Sequence, residues 1–157
     1  MENDFEEKLK AIIKDKKLDC QHYSFTESCH SVAEAAAVVK ATARDFIKSI
    51  CLVDDKGSLT VAVVKGEDKV DIRKVERLVG KKLKLANPAE ILDKTGFPVG
   101  GTPPFGFKAV FFIDERVFGQ KEVYGGGGSD KALVRLAPAE IQKANAGEVG
   151  HLVKESA

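Results

Sequence analysis

Cysteine and histidine are scarce in this sequence, long apolar runs are absent, and the charges nearly cancel. Only three cysteines occur, Cys20, Cys29 and Cys51, an odd number with no C-x-x-C spacing. In a chain of 157 residues that argues for a reducing compartment, the cytosol, and against a disulfide framework or a thiolate zinc site. The three histidines, His22, His30 and His151, are scattered, so no metal site is expected. No apolar stretch approaches the ~18 residues that read as a membrane span. The acidic start, Met1-Glu2-Asn3-Asp4, runs straight into an amphipathic pattern and not into a secretory leader. With 25 basic and 24 acidic residues the formal charge is +1. That excludes a generally polycationic nucleic-acid binder but permits a local basic surface.

What is present is the composition of an ordinary globule. Apolar residues make up 43% of the chain, enough for a single core, and neither a repeat nor a linker divides it, so one domain is expected over 1–157. Phe5, Leu9, Ile12 and Ile13 recur at helical spacing and predict a helix from Glu2 to about Lys17. Gln21 to Phe25 reads as a strand. Ser31 and Glu34 form a capping box for an alanine-rich helix, Ala33 to Val39, and a helical turn is expected over Thr42 to Phe46. Ile47 to Val53 and Leu59 to Val64 are strand-like runs around Asp54-Asp55-Lys56-Gly57-Ser58, a hairpin signal. Asp71 and Gly80 bracket a helix that buries Ile72, Val75, Leu78 and Val79.

Further along, Lys82 to Ala86 reads as a strand, and Pro88 opens a helix from Ala89 to about Lys94. Ala109 to Asp114, Glu122 to Gly125 and Leu133 to Leu136 read as strands. Pro138 opens a last helix to about Ala144, followed by a short strand over Val149 to Val153. Helices and strands mix irregularly and the hairpins require antiparallel pairing. The expected class is therefore α+β, a mixed sheet or barrel with helices around it.

Three segments bear on chemistry. Thr95-Gly-Phe-Pro-Val-Gly-Gly-Thr-Pro-Pro-Phe-Gly-Phe-Lys108 is stiffened by prolines, while its glycines let backbone approach a ligand. It is either a rigid turn or a pocket wall, with Phe97 and Phe105 beside it. Lys48 opens an otherwise apolar strand. It is either the snorkelling end of an edge strand or an ammonium aimed into a cleft. From Val70 to Leu85 six basic residues face two acidic ones. Arg73, Lys74, Arg77, Lys81 and Lys82 form either a solvated helix face or a phosphate-contacting surface. Cys29 and His30 are adjacent, so their side chains point apart, which argues against a nucleophile–base pair. Cys51 reads as a small core residue. No Ser-His-Asp spacing or catalytic carboxylate pair stands out.

Several of these stretches occur in a familiar order: Ser31-Val-Ala-Glu-Ala-Ala36, Phe46-Ile-Lys-Ser-Ile-Cys-Leu-Val53, Asp71-Ile-Arg-Lys-Val75 with Gly80-Lys-Lys-Leu83, and Gly96-Phe-Pro-Val-Gly-Gly-Thr-Pro-Pro-Phe-Gly106. Tyr124 before a glycine run and the closing Glu148-Val-Gly complete the pattern. From about Asp19 to Val153 the chain resembles the YbaK and prolyl-tRNA-synthetase-associated family of editing domains. The resemblance implies a mixed sheet or barrel flanked by helices. It also implies hydrolysis, in trans, of the ester joining a mischarged amino acid to tRNA. Lys48 would be the catalytic lysine. Phe25, Gly100, Gly101, Thr102, Pro103, Pro104, Phe105, Gly106, Gly126 and Gly127 would bind substrate. The partners implied are a mischarged tRNA, with that for proline as first candidate, and prolyl-tRNA synthetase. Neither a metal nor an organic cofactor is implied. Phe25 stands where cysteine-selective relatives carry tyrosine, the run Gly125 to Asp130 replaces their serine-bearing segment, and Leu133 falls near their aspartate. Alanine or another small residue therefore stays open beside cysteine.

Overall fold

The computed structural model describes residues 2–155. In chain order the elements are α1 (Glu2–Asp15), β1 (Cys20–Ser24), α2 (Val32–Val39), a 3-10 turn (Ala43–Asp45), β2 (Ile47–Val53), β3 (Leu59–Lys65), α3 (Ile72–Val79), β4 (Lys84–Leu85), α4 (Pro88–Thr95), β5 (Val110–Asp114), a second 3-10 turn (Glu115–Gly119), β6 (Val123–Gly126), β7 (Ala132–Leu136), α5 (Pro138–Asn145) and β8 (Glu148–Gly150). The mixed α+β architecture expected from the sequence is what the chain adopts.

Five strands form one sheet in the order β4-β2-β3-β5-β8, and three form another in the order β1-β7-β6. β2 is antiparallel to β3 and β4, whereas β3–β5 and β5–β8 are parallel. A single bridge between Phe46 and Tyr124 links the start of β2 to β6, so the two sheets meet at one corner. Between them lies the main core. It takes Ile47, Cys51 and Val53 from β2, Val61 and Val63 from β3, and Val134 and Leu136 from β7, with Leu9 of α1 and Ile141 of α5 closing it. On the opposite face of the larger sheet, Leu52, Ala62, Val64 and Phe112 pack under Val75 of α3 together with Leu152 and Val153. Burial on both faces explains why β3 is apolar without alternation.

The element ends follow local chemistry. The Ser31 hydroxyl accepts the Glu34 amide at 3.1 Å, and Asp71 accepts the Arg73 amide at 3.1 Å. Gly80 terminates α3 in the left-handed region at φ 74°. In the β2–β3 turn the Asp54 carboxylate accepts the amides of Lys56 and Ser58, both at 2.9 Å.

Most boundaries lie within a residue of the sequence expectation, and the larger differences have local causes. α1 stops at Asp15 because the chain passes through a left-handed residue, Lys17 at φ 55°. The expected strand Lys82 to Ala86 begins only at Lys84, since the Leu83 amide donates to the Glu76 carboxylate at 2.8 Å, while the Ala86 amide still donates to the Cys51 carbonyl of β2 at 2.9 Å. The last strand ends at Gly150 and not at Val153. There the Leu152 amide donates to the buried Asp114 carboxylate at 2.8 Å, steering the chain beneath α3. The turn Glu115–Gly119, unmarked in the sequence reading, is started by the Asp114 side chain, which accepts the Arg116 amide.

Candidate active site

Where the two sheets meet, the start of β2, the glycine end of β6, the first turn of α2 and the Gly/Pro loop surround a cavity of about 170 Å³. The N-capped entry into α2 fixes one wall, Cys29 to Val32 with Ala35. Phe46, Ile47, Lys48 and Ser49 of the β2 entry form the floor, and Gly100, Thr102, Gly125 and Gly126 form a wall of bare backbone. Phe46 is held in place by stacking on Tyr124, with ring centroids 5.0 Å apart.

Lys48 is half-buried, and among the described residues its ammonium makes no hydrogen bond or ion pair. Burial lowers its pKa below the ordinary lysine value. Asp68 acts against that shift and Lys69 reinforces it. A half-buried ammonium with no hydrogen-bonded partner beside a mostly apolar cavity is free to meet a ligand's oxygen there. Cys29 also lines the cavity; burial raises its pKa, with Glu27, Glu34 and Asp130 adding to the effect, so it is a poor nucleophile there. His30 lies against Gly100 so closely that a Cβ on that glycine would overlap the imidazole.

The loop is stiff for reasons visible in its bonds. The Gly101 amide donates to the Pro98 carbonyl at 3.1 Å, and the Thr102 hydroxyl donates to the same carbonyl at 3.0 Å. Asn145 of α5 donates to the Pro104 carbonyl at 2.9 Å. The Gly128 amide reaches across to the Gly101 carbonyl at 2.8 Å. Gly126 packs so tightly that a Cβ would overlap the Thr102 carbonyl.

Of the residues the sequence singles out, Lys48, Gly100, Thr102 and Gly126 come together around the cavity. Gly101 is buried one layer behind, against Ser129, and Pro104 packs on Gly125. Pro103 is buried within the loop. Phe105 and Phe97 lie in the main core with no exposed surface. Gly106 sits on another side, against Ile12 of α1. Phe25 packs in the cluster under α2, tilted against Tyr23 with centroids 6.5 Å apart, outside the cavity lining. Gly127 is buried and its carbonyl faces His22 Nε2 at 2.7 Å. Sequence reasoning missed the wall from Cys29 to Val32. The Ser31 cap announced a helix start there, but nothing local says that this start faces β2.

The basic segment divides. Arg73, Arg77, Lys81 and Lys82 line an open groove with Glu76 and Gly80. Lys74 is instead engaged with the C-terminal segment, donating to the Val153 carbonyl at 2.7 Å and the Glu155 carboxylate at 3.0 Å. Lys81 pairs with Asp54 at 3.2 Å, just past the end of β2. Lys48 begins that strand, so roughly 20 Å of extended chain separates Lys48 from the near edge of the groove.

Residues 26–144 match the family model of the aminoacyl-tRNA editing domain. The chain belongs to that family. The editing domain is also similar to a solved structure described as a "putative trans-editing enzyme for prolyl tRNA synthetase". The TM-score is 0.88 at 29% identity, covering 96% of this chain and 97% of that one. It is 24% identical over 149 residues to a "Putative Cys-tRNA(Pro)/Cys-tRNA(Cys) deacylase EbsC" of Enterococcus faecalis, covering 90% of this chain and 89% of that protein. It is 32% identical over 114 residues to a proline–tRNA ligase of Solidesulfovibrio magneticus; 71% of the editing domain is aligned, but it spans only 20% of the ligase. Among the described residues, no group of three or more His, Cys, Asp or Glu comes together to hold a metal ion, and no helix is long and apolar enough to cross a membrane.

Proposed function

We propose that this editing domain acts in trans as an aminoacyl-tRNA deacylase, hydrolysing the ester between a small mischarged amino acid and the terminal ribose of tRNA. The observation that carries the reading is the unpartnered, partly desolvated Lys48 ammonium beside a cavity of about 170 Å³ walled by glycine backbone. Such a cavity admits a small side chain and brings backbone up to the ester. Water adds to the ester carbonyl, the bond to the ribose oxygen breaks, and the ribose hydroxyl takes up a proton. Lys48 holds the ester and stabilises the charge that develops on its oxygen. An aminoacyl ester is already activated, so placement and one well-aimed cation suffice. The need is physical too. A synthetase pocket gains only ~1–3 kcal/mol from a methylene, and a second sieve removes what slips through.

The likeness to the ligase, to EbsC and to the trans-editing structure makes tRNA for proline the first substrate to test, with alanine and cysteine as amino acids. Prolyl-tRNA synthetase is the corresponding partner. The groove of Arg73, Arg77, Lys81 and Lys82 is the proposed tRNA contact, at a distance suited to the acceptor stem and not to the ester. The test is a deacylation panel on tRNA for proline charged with alanine, cysteine, serine or proline, with Lys48→Ala in parallel. Selective release of one wrong amino acid, falling ~10²–10³-fold in the variant, supports the reading. Tight tRNA binding without release from any ester makes the domain a binding module instead.

A further inference from the structure

Glu6 of α1 retains only 7% of its exposure, and it precedes the segment, 26–144, that matches the family model. A carboxylate in that setting needs donors, and it has two. The Ser24 hydroxyl of β1 donates to one of its oxygens, and the Ser129 hydroxyl donates to the other at 2.7 Å. Ser129 has no exposed surface, and its Oγ also accepts the Lys131 amide at 3.1 Å, so its single proton is committed to Glu6.

Directly behind Ser129 lies the Gly/Pro loop. A Cβ on Gly101 would stand 2.6 Å from the Ser129 nitrogen and 2.7 Å from its Cα. On the α1 side, a Cβ on Gly128 would stand 3.0 Å from the Phe5 carbonyl oxygen. Three layers therefore press together by backbone contact at Gly128 and Gly101: α1, then Gly128 and Ser129, then Gly100 to Thr102, whose outer face is the cavity wall. Backbone contact alone permits layers to slide. What locks the stack is the Gly128–Gly101 hydrogen bond on one side and the carboxylate on the other.

We propose that Glu6 is a positioning residue for the ester-binding site: by clamping Ser129 it fixes the Gly100–Thr102 wall and so the width left for the amino acid side chain. This rests on the deacylase reading of the cavity. Glu6 touches no substrate and acts only through the stack. Its removal should therefore change turnover and size selection more than tRNA affinity.

The experiment compares Glu6→Leu, Glu6→Gln and Ser129→Ala with the unaltered chain. Readouts are steady-state deacylation of each mischarged tRNA, thermal unfolding, and amide hydrogen exchange at Gly127 and Gly128. Glu6→Leu should lower kcat at least tenfold with KM for the tRNA within twofold, and should narrow the ratio between small and bulkier amino acids. Glu6→Gln keeps one oxygen for Ser129 and an NH2 that Ser24 can accept, so it should recover kcat to within about threefold. Gly128 exchange should quicken in Glu6→Leu and not in Glu6→Gln. A folded Glu6→Leu protein with unaltered kcat and selectivity overturns the proposal. Should Glu6→Leu not fold, Ser129→Ala at full kcat with unchanged selectivity overturns it equally. Should the unaltered chain release no amino acid, the deacylase reading fails by itself. The exchange comparison then still decides whether Glu6 holds the loop, and equal Gly128 exchange in Glu6→Leu and the unaltered chain refutes that.

Discussion

Adding one methyl group at Gly101 tests the layered wall most directly. Gly101 has no positive φ, so alanine meets no conformational objection there. The obstacle is purely spatial: its Cβ would stand 2.6–2.7 Å from the Ser129 backbone nitrogen, carbon and Cα. Carbon atoms settle at ~3.5–4.0 Å, so the two backbone segments must part by roughly 1 Å. No flexible side-chain end lies in the way to absorb the change. Overpacking of this kind costs ~1–3 kcal/mol, which for a domain of this size lowers Tm by roughly 2–12 °C. A displacement near 1 Å at a wall that positions a reacting group costs ~100-fold in rate. Single-turnover deacylation of the mischarged tRNA identified by the panel, run beside thermal unfolding, measures both. Gly119→Ala is the matched control, because nothing beyond its neighbours along the chain lies within 4 Å of its Cβ and its φ is not positive; it should stay within ~0.5 kcal/mol of the unaltered chain. Gly101→Ala turning over at the unaltered rate would refute the idea that backbone contact at this wall sets the geometry of the site.

Further expectations concern charge and reactivity. Burial lowers the Lys48 pKa, so the folded state disfavours the proton there; the penalty is complete below the lowered pKa and fades as pH rises toward the unfolded value. Lys48→Met should therefore be at least as stable as the unaltered chain at pH 7 by urea unfolding, the difference shrinking at alkaline pH, although deacylation is lost. A marked loss of stability at pH 7 would mean that Lys48 is a structural residue. Burial pushes the thiols of Cys20 and Cys51 up to about 12 and about 11, so maleimide at pH 8 should label neither in the folded protein and both in urea, read by mass spectrometry. Labelling of either thiol in the folded state at the unfolded rate would contradict that burial. Arg77→Ala with Lys82→Ala should weaken tRNA binding for all tRNAs alike and reduce the slope of log K against log salt by ~0.7–0.9 for each phosphate that is no longer neutralised. An unchanged slope would remove the groove from the tRNA interface.

Features encoded within a few residues were legible in the sequence. The Asp54–Ser58 hairpin, the Asp71 and Gly80 brackets of α3, and Pro88 as the first residue of α4 all stand where local chemistry puts them. So does the Ser31 cap, although the Glu34 carboxylate takes the Ser31 hydroxyl and not its amide. What stayed hidden was non-local. The parallel pairing of β5 with β3 and β8 has no local signature, nor does the Glu6–Ser129 bond across 123 positions. Boundaries failed where a distant side chain outbid the ladder, as Glu76 does at Leu83 and Asp114 at Leu152. Lys48, Gly100, Thr102 and Gly126 were singled out and do converge, but Phe105 and Gly106 share their loop and lie elsewhere. Adjacency in a Gly/Pro segment says nothing about which side of the sheet each residue meets.

The cavity draws on residues 29–32 with Ala35, on 46–49, on Val99, Gly100 and Thr102, and on 125–126, with Ile91 and Leu133 at its edge. Between β3 and its parallel neighbour β5 lie more than forty residues, so closing that loop is entropically late. The cavity walls must come together after the strands that carry them, and a chain still folding or still being synthesised holds only fragments of the pocket. Hydrolytic competence is thereby tied to completion of the fold.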